Sequence, residues 1–505
     1  MSEPQSAPQG PDLTQGVDAS EVAEGAMLVG HVGEAAVLVA RVGGKLSAIG
    51  AECTHYHGPL GEGLIVGETV RCPWHHARFC LRTGEAMGAP AIDPVDCWRV
   101  EERDGRIFVR EKAEASIGGR ARGAAGPRRV VVVGGGAAGF AAAEMLRREG
   151  YGGDLTLLSA DADPPYDRPN CSKDYLAGKA PGEWMPLRDD GFYERSGIDL
   201  RTGTEAAALD LTGRAVTLAD GARLPFDALI LATGAEPIRP PIPGFDQAGV
   251  HVLRSMKDAE AIIRAADAAR RVVVVGASFI GLEVAAALLE RGLQVDVIAP
   301  EATPFEKILG ADLGRFVQSV HADKGVSFHL GRSVTGFSDG RVMMDDGSSV
   351  PADFVVVGVG VRPRTALAAA AGLEVDRGVV VDARLQTHAP GVFAVGDIAR
   401  YPDPRTGALI RVEHWVAAER QGQHAARVLL GLADAFRETP FFWSAHHDVT
   451  INYVGHAEQF DAAEVEGAIA DRDATVRLTQ GGRLLAAATL GRDLETLRLE
   501  AGLEA

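Results

Sequence analysis

Residues 21–112 alternate short apolar runs with glycine-containing turns: AMLVG, AVLVARVGGKLSAIG, ETVRCP and RIFVR. That rhythm predicts a small all-β domain. GGRARGAAGP at 118–127 has no periodicity and reads as a linker. Beyond it the chain repeats itself. RVVVVGGGAAGFAAAEMLRREG begins at Arg129 and RVVVVGASFIGLEVAAALLERG at Arg271. Each predicts a buried strand, a glycine-rich turn, a helix ending in glycine and a second strand (DLTLLSAD, QVDVIAPE). RAVTLADGARLPFDALILATG (214–234) then matches RVMMDDGSSVPADFVVVGVG (341–360), each a hairpin about an Asp-Gly turn and a buried strand ending at glycine. Two copies of one unit imply two related α/β dinucleotide-binding domains. From about Pro440 the pattern is β-rich again (HHDVTINYVGHAEQF, ATVRLTQGGRLLAAATL), which predicts a small C-terminal sheet domain.

A chain of 505 residues is too long for one hydrophobic core, so several domains are expected. The formal net charge of −18 argues against nucleic acid or an anionic membrane surface as partner. Five cysteines are too few for a secreted disulfide framework and fit a reducing compartment. The first residues, MSEPQSAPQGPDLTQG, have neither a basic start nor an apolar centre, and predict a disordered tail rather than a signal peptide. The run VVVVGGGAAGFAAAEML is glycine-dense and shorter than a membrane span. The expectation is a cytoplasmic protein without a transmembrane helix, either monomer or homodimer.

Gly134, Gly136 and Gly139 form G-x-G-x-x-G between a Val-rich strand and a helix, with Ala138 inside the turn. The first glycine permits the tight turn, the second lets backbone approach a pyrophosphate, and the third lets helix pack on strand. Asp161, or a residue one or two positions away, is the expected partner of the ribose hydroxyls. The second copy reads Gly276, Ser278, Gly281, with serine in the middle place. The acid expected at the end of its next strand is missing, since Ala299 and Pro300 stand there and Glu301 follows. No arginine is placed to receive a 2′-phosphate, which favours NADH over NADPH.

Residues 129 to about 432 resemble the flavoproteins with two dinucleotide-binding domains. LILATG, ending in Thr233 and Gly234, and HAPGVFAVGDIA, with Gly396 and Asp397, resemble their later flavin motifs; Gly360 closes the corresponding strand of the second copy. The resemblance implies that Asp397 hydrogen-bonds the flavin ribityl chain. PPYDRPNCSKDYLAG is similar to the flavin-flanking stretch of oxygenase-type ferredoxin reductases and apoptosis-inducing-factor-like proteins. It implies flavin contacts for Arg168 and Lys173, with Lys173 beside Glu283 near the reactive edge. RVEHWVAAERQGQHAARVLLG resembles the next family segment and implies Glu413, His414 and Trp415 near the ring. PFFWSAHHDVTINYVGHAE resembles the start of the C-terminal domain, where Trp443 either covers the flavin or joins a plain boundary cluster. The candidate catalytic residues are Lys173, Glu283 and Trp415.

Two short loops near the N-terminus, ECTHYHGPL and RCPWHHARFC, each carry one cysteine and one histidine at metal-ligand spacing: Cys53 and His55, Cys72 and His75. They match the Rieske pattern, in which two cysteines hold one iron of a [2Fe–2S] cluster and two histidines the other. CPWH and GPLGEG resemble Rieske ferredoxins. A Cys2His2 zinc site takes the same atoms and stands as the alternative. His57 and His76 read as exposed loop neighbours, and His76 departs from the glycine usual after the second ligand. The positions where high-potential Rieske proteins carry a disulfide hold His57 and Trp74. A potential nearer about −150 mV than about +300 mV is therefore implied. Cys80 and Cys97 read as buried apolar residues, and Cys171 as a packing thiol or a redox cysteine beside the flavin.

The expected order is a disordered tail (1–20), a Rieske [2Fe–2S] domain (21–112) and a linker (113–128). A flavin domain in two parts (129–245 and 365–436) follows, with an NAD(H) domain inserted (246–364) and an α+β C-terminal β-rich domain (437–505). The resemblance implies an NADH-fed FAD enzyme that passes electrons to the cluster and on to an oxygenase, ferredoxin or cytochrome. Two alternatives remain open. One is a thiol-flavin peroxidase or disulfide reductase using Cys171, and the other a redox-sensing interaction protein like apoptosis-inducing factor.

Overall fold

The structure, a computed structural model, describes residues 10–113 and 126–504. The expected linker at 113–128 and the first part of the expected tail fall largely outside the described residues. The chain divides into two compact units.

The first unit is Met1–Ala124 with Arg148–Gly150 and Arg492–Ala505. Its larger sheet has six antiparallel strands in the order Val17–Asp18, Arg106–Ala113, Cys97–Arg103, Lys45–Gly50, Ala35–Val42, Met27–Val32. Ala35–Val42 reads as a nearly continuous apolar run because both its faces are covered. Leu38 and Ala40 enter one core and Val37 and Val39 the other. A four-stranded sheet, Leu64–Val66, Thr69–Arg71, Arg78–Cys80 and Ala86–Gly88, carries the second Cys/His loop at its central turn.

Two boundaries differ from expectation. Ordered structure begins before residue 21, because Leu13 and Val17 are buried and Val17 pairs with Ile107. Two apolar side chains among Pro, Gly and Gln suffice to seat the segment, though they are too sparse to register as a strand pattern. At the other end, the helix Asp493–Glu504 belongs to the first unit and not to the C-terminal sheet domain. Thr496, Leu497 and Glu500 are its buried residues.

The second unit holds both glycine turns. Five parallel strands form the first sheet, in the order Asp199–Arg201, Asp154–Leu158, Arg129–Val133, Ala228–Leu231, Val392–Ala394. The second sheet is Val250–Val252, Phe354–Val357, Arg271–Val275, Gln294–Ala299, Ser327–Leu330, again all parallel. Val392–Ala394 thus joins the first sheet only after the whole second sheet has intervened. The RVVVV strands are apolar without alternation because helices cover both faces of a parallel sheet. Each copy adds a three-stranded antiparallel ribbon whose tight turn is Asp220-Gly221 or Asp346-Gly347. A five-stranded antiparallel sheet, Phe441–His446 to Arg483–Leu490, packs Ile451, Tyr453 and Ala486 into the same core as Leu282 and Leu288 of the second turn's helix.

Candidate cofactor sites

The two Cys/His loops close in the same way. Cys53 N–H donates to Gly58 O at 2.8 Å, and His57 N–H to Cys53 O at 2.9 Å. Cys72 N–H donates to Ala77 O at 2.8 Å, and His76 N–H to Cys72 O at 3.1 Å. The fifth residue of each loop has positive φ, +58° at His57 and +61° at His76. This shared geometry brings the four expected ligands together as two pairs. The buried thiols of Cys53 and Cys72 are close enough to shift each other's ionisation, and His55 Nδ1 lies 3.1 Å from His75 Nδ1. Burial holds the His55 imidazole neutral, with its pKa lowered to about 4, as a metal ligand requires. Among the described residues no three His, Cys, Asp or Glu converge on a single ion. Two pairs, one of sulfur and one of nitrogen, fit a two-iron cluster with two protein ligands per iron.

In the second unit the glycines stand where side chains would collide. Gly134 has φ +117°, and a Cβ on Gly139 would lie 1.8 Å from Gly134 O. In the second turn Gly276 has φ +106°, and a Cβ on Gly281 would lie 2.3 Å from Gly276 O. Ser278 caps its helix: its Oγ accepts from Gly281 N–H at 3.1 Å and donates to Gly358 O at 2.7 Å.

Between the turns lies a cavity of about 610 Å3. Cofactor sites run from about 300 to 1,000 Å3. Of the candidate site residues, Gly136, Ala138, Arg168, Lys173, Gly234, Ser278, Glu283, Gly360, Gly396, Asp397, Glu413, His414, Trp415 and Trp443 line it. Gly134, Gly139, Gly276 and Gly281 shape the turns behind that wall. Thr233 is turned to Arg364 O at 2.8 Å, Asp161 is held by Tyr166 and Arg168, and Glu301 is exposed; none of these three lines the cavity.

A buried carboxylate organises one wall. Glu283 Oε2 accepts from Lys173 Nζ at 2.8 Å and Ser172 Oγ at 2.6 Å, and Oε1 accepts from Ser444 Oγ at 2.7 Å. Burial lowers the His414 pKa to about 3 and leaves its imidazole neutral. Burial raises the Glu413 pKa against the opposing pull of Arg411. The bare glycine backbone, the cavity volume and the cationic Arg168 and Lys173 all fit a dinucleotide.

A model of the pyridine nucleotide-disulphide oxidoreductases matches residues 128–422, and one of the Rieske [2Fe-2S] domain residues 15–99. The chain belongs to the pyridine nucleotide-disulphide oxidoreductase family. Human apoptosis-inducing factor 3 is 31% identical over 94% of this chain and 81% of its own length. Putidaredoxin reductase CamA of Pseudomonas putida is 35% identical over 72% of this chain and 89% of its own. In the crystal structure of the covalent putidaredoxin reductase–putidaredoxin complex, one chain is 34% identical with a TM-score of 0.72, covering 75% of this chain and 93% of that one. This member of the family is therefore an FAD-dependent oxidoreductase of the ferredoxin-reductase type, using a nicotinamide dinucleotide and carrying a Rieske [2Fe–2S] cluster. Among its described residues no helix is long and apolar enough to cross a membrane.

Several features of this oxidoreductase were not legible beforehand. Arg254 pairs with Asp397 in the cavity wall, although its local sequence marks only the Ser255 helix cap. Ser444 reaches Glu283 from 161 residues away, beyond any local pattern. Two expectations are corrected. His76 is not an exposed neighbour; it is fully buried, whereas His57 is exposed. Cys80 is only partly buried, next to buried Phe79 in a strand whose burial alternates, while Cys97 is buried as expected. Cys171 lines the cavity, but burial pushes its thiol up to about 12.

Proposed function

We propose that the protein moves electrons from NADH through FAD to the fused [2Fe–2S] cluster, and from there to a one-electron carrier: a ferredoxin, a cytochrome or an oxygenase component. The observation that carries this reading is that one chain holds both a glycine-lined dinucleotide cavity and two paired Cys/His loops. FAD supplies the conversion from two-electron to one-electron chemistry, and the cluster a one-electron store. Cys53 and Cys72 would hold one iron, and His55 and His75 the other. Lys173, fixed by Glu283 with Ser172 and Ser444 behind it, puts a cation in the cavity wall, where it would offset negative charge developing on a bound flavin. Trp415 and Trp443 would supply apolar wall for the flavin ring, and Asp397 and Arg254 a polar pair. A peroxidase or disulfide reductase working through Cys171 is disfavoured, because a thiol with a pKa of about 12 yields almost no thiolate at neutral pH.

The purified protein should contain two irons and one FAD per chain. Under anaerobic NADH both chromophores should bleach, the flavin first. One zinc per chain and no iron would remove the ligand assignment. A cluster that stays oxidised beside fully bleached flavin would remove the electron route.

A further inference from the structure

The two Cys/His loops share their backbone closure but differ in what lies behind it. In the first loop His57 is 82% exposed, and Glu52, 3.7 Å from its Nδ1, is itself exposed. A loop of this shape therefore closes without a buried fifth residue. In the second loop the fifth residue, His76, is 0% exposed. Its Nδ1 lies 3.1 Å from Oε2 of Glu500, a residue of the last helix that is also 0% exposed.

The same Glu500 oxygen accepts from Arg71 Nη1 at 2.8 Å. Arg71 directly precedes Cys72 and His76 directly follows His75, so both flanks of the second loop are tied to one carboxylate oxygen. Glu504, one turn further along the helix, accepts from Arg71 Nη2 and Arg78 Nη2, each at 2.6 Å. Two arginines thus offset two carboxylates, as a buried cluster of charges requires.

We propose that Glu500 is a positioning residue for the [2Fe–2S] cluster. The C-terminal helix is the outer support of the second cluster loop, and Glu500 sets both how firmly that loop holds iron and how readily the cluster accepts an electron. The inference rests on the ligand assignment proposed above. Groups behind metal ligands orient them and tune the metal. A fixed negative charge there disfavours the reduced cluster, which is the more negative state. The anchor lies 429 residues beyond Arg71, so the N-terminal segment alone lacks it.

The test uses the full-length holoprotein. Glu500→Gln keeps an oxygen for Arg71 and His76 but removes the charge. It should retain iron and FAD and raise the cluster's midpoint potential, with the reduction equilibrium shifted about tenfold, or about 59 mV for one electron. Glu500→Ala removes the anchor. Its iron should pass to a chelator at least about tenfold faster than in the wild type, with FAD per chain unchanged. Glu504→Ala, which leaves the His76 contact in place, should shift the potential less than Glu500→Gln does. Wild-type potential in Glu500→Gln, or joint loss of iron and FAD in Glu500→Ala, overturns the proposal while leaving the ligand assignment standing. A wild-type protein without iron would remove both.

Discussion

The two glycine turns keep the same register, bond for bond. Gly134 N–H donates to Leu158 O and Gly276 N–H to Ile298 O, both at 2.8 Å; Phe140 N–H donates to Gly136 O and Leu282 N–H to Ser278 O, both at 2.9 Å. They differ in the middle residue. Gly136 leaves its helix N-terminus bare toward the cavity, with Arg168 Nη1 as the nearest neighbour, 3.3 Å from where a Cβ would stand. Ser278 instead spends its hydroxyl on the N–H of Gly281. A helix N-terminus binds phosphate through such free N–H groups. The first turn has an arginine beside it and no side-chain cap at its middle residue; on the function proposed above it would hold FAD, and the second turn NADH.

The sharpest way to separate the turns is to fill their third glycines. Gly139→Ala puts a methyl 1.8 Å from Gly134 O, which no small shift relieves, and FAD per chain should fall at least about tenfold. Gly281→Ala puts one 2.3 Å from Gly276 O; FAD should remain while flavin reduction at low NADH slows at least about tenfold. Flavin content by absorbance and stopped-flow reduction read the two effects. If both variants lose FAD alike, the division of labour between the turns is wrong.

A smaller effect belongs to the middle position. Ser278→Ala removes a helix cap of about 1 kcal/mol and the bond to Gly358 O, and KM for NADH should rise about fivefold with FAD content unchanged. Ser278→Gly reproduces the first turn. Glycine at an N-cap costs only a few tenths of a kcal/mol, so KM should stay within about twofold of wild type. Steady-state kinetics on both variants decides this. A large KM in Ser278→Gly would mean that the hydroxyl serves the dinucleotide itself and not the helix.

What was legible in the chain follows the range of the interactions. The RVVVV strands, the glycine turns and the Asp-Gly ribbons are set by steric rules acting within about ten residues, and local pattern carries them. The Cys/His loops are legible for the same reason, since each closes on itself through hydrogen bonds no more than five residues apart. Long-range choices were not legible. DLETLRLEAGLE hides its role because one of its buried residues is a glutamate, which reads as surface until Arg71 and His76 are seen to meet it. The burial of His76 is hidden with it. Arg254 and Ser444 meet their partners across 143 and 161 residues, and nothing near them in sequence signals it.

The register also revises one detail of the second copy, and with it comes the smallest expected effect. The acid there is not missing. Gly203 N–H donates to Asp161 O at 2.7 Å and Gly331 N–H to Glu301 O at 3.0 Å, so Glu301 stands at the place of Asp161. Asp161 is held by Tyr166 and Arg168, whereas Glu301 is exposed. An exposed carboxylate that accepts from a ribose hydroxyl contributes little, because water competes for it. Glu301→Gln should raise KM for NADH only about threefold and leave kcat unchanged. Removing the charge also removes its repulsion of a 2′-phosphate, so KM for NADPH should fall in the same variant. Side-by-side kinetics with the two dinucleotides measures both shifts. If neither KM moves, Glu301 does not face the ribose, and the preference for NADH is set elsewhere in the second sheet's loops.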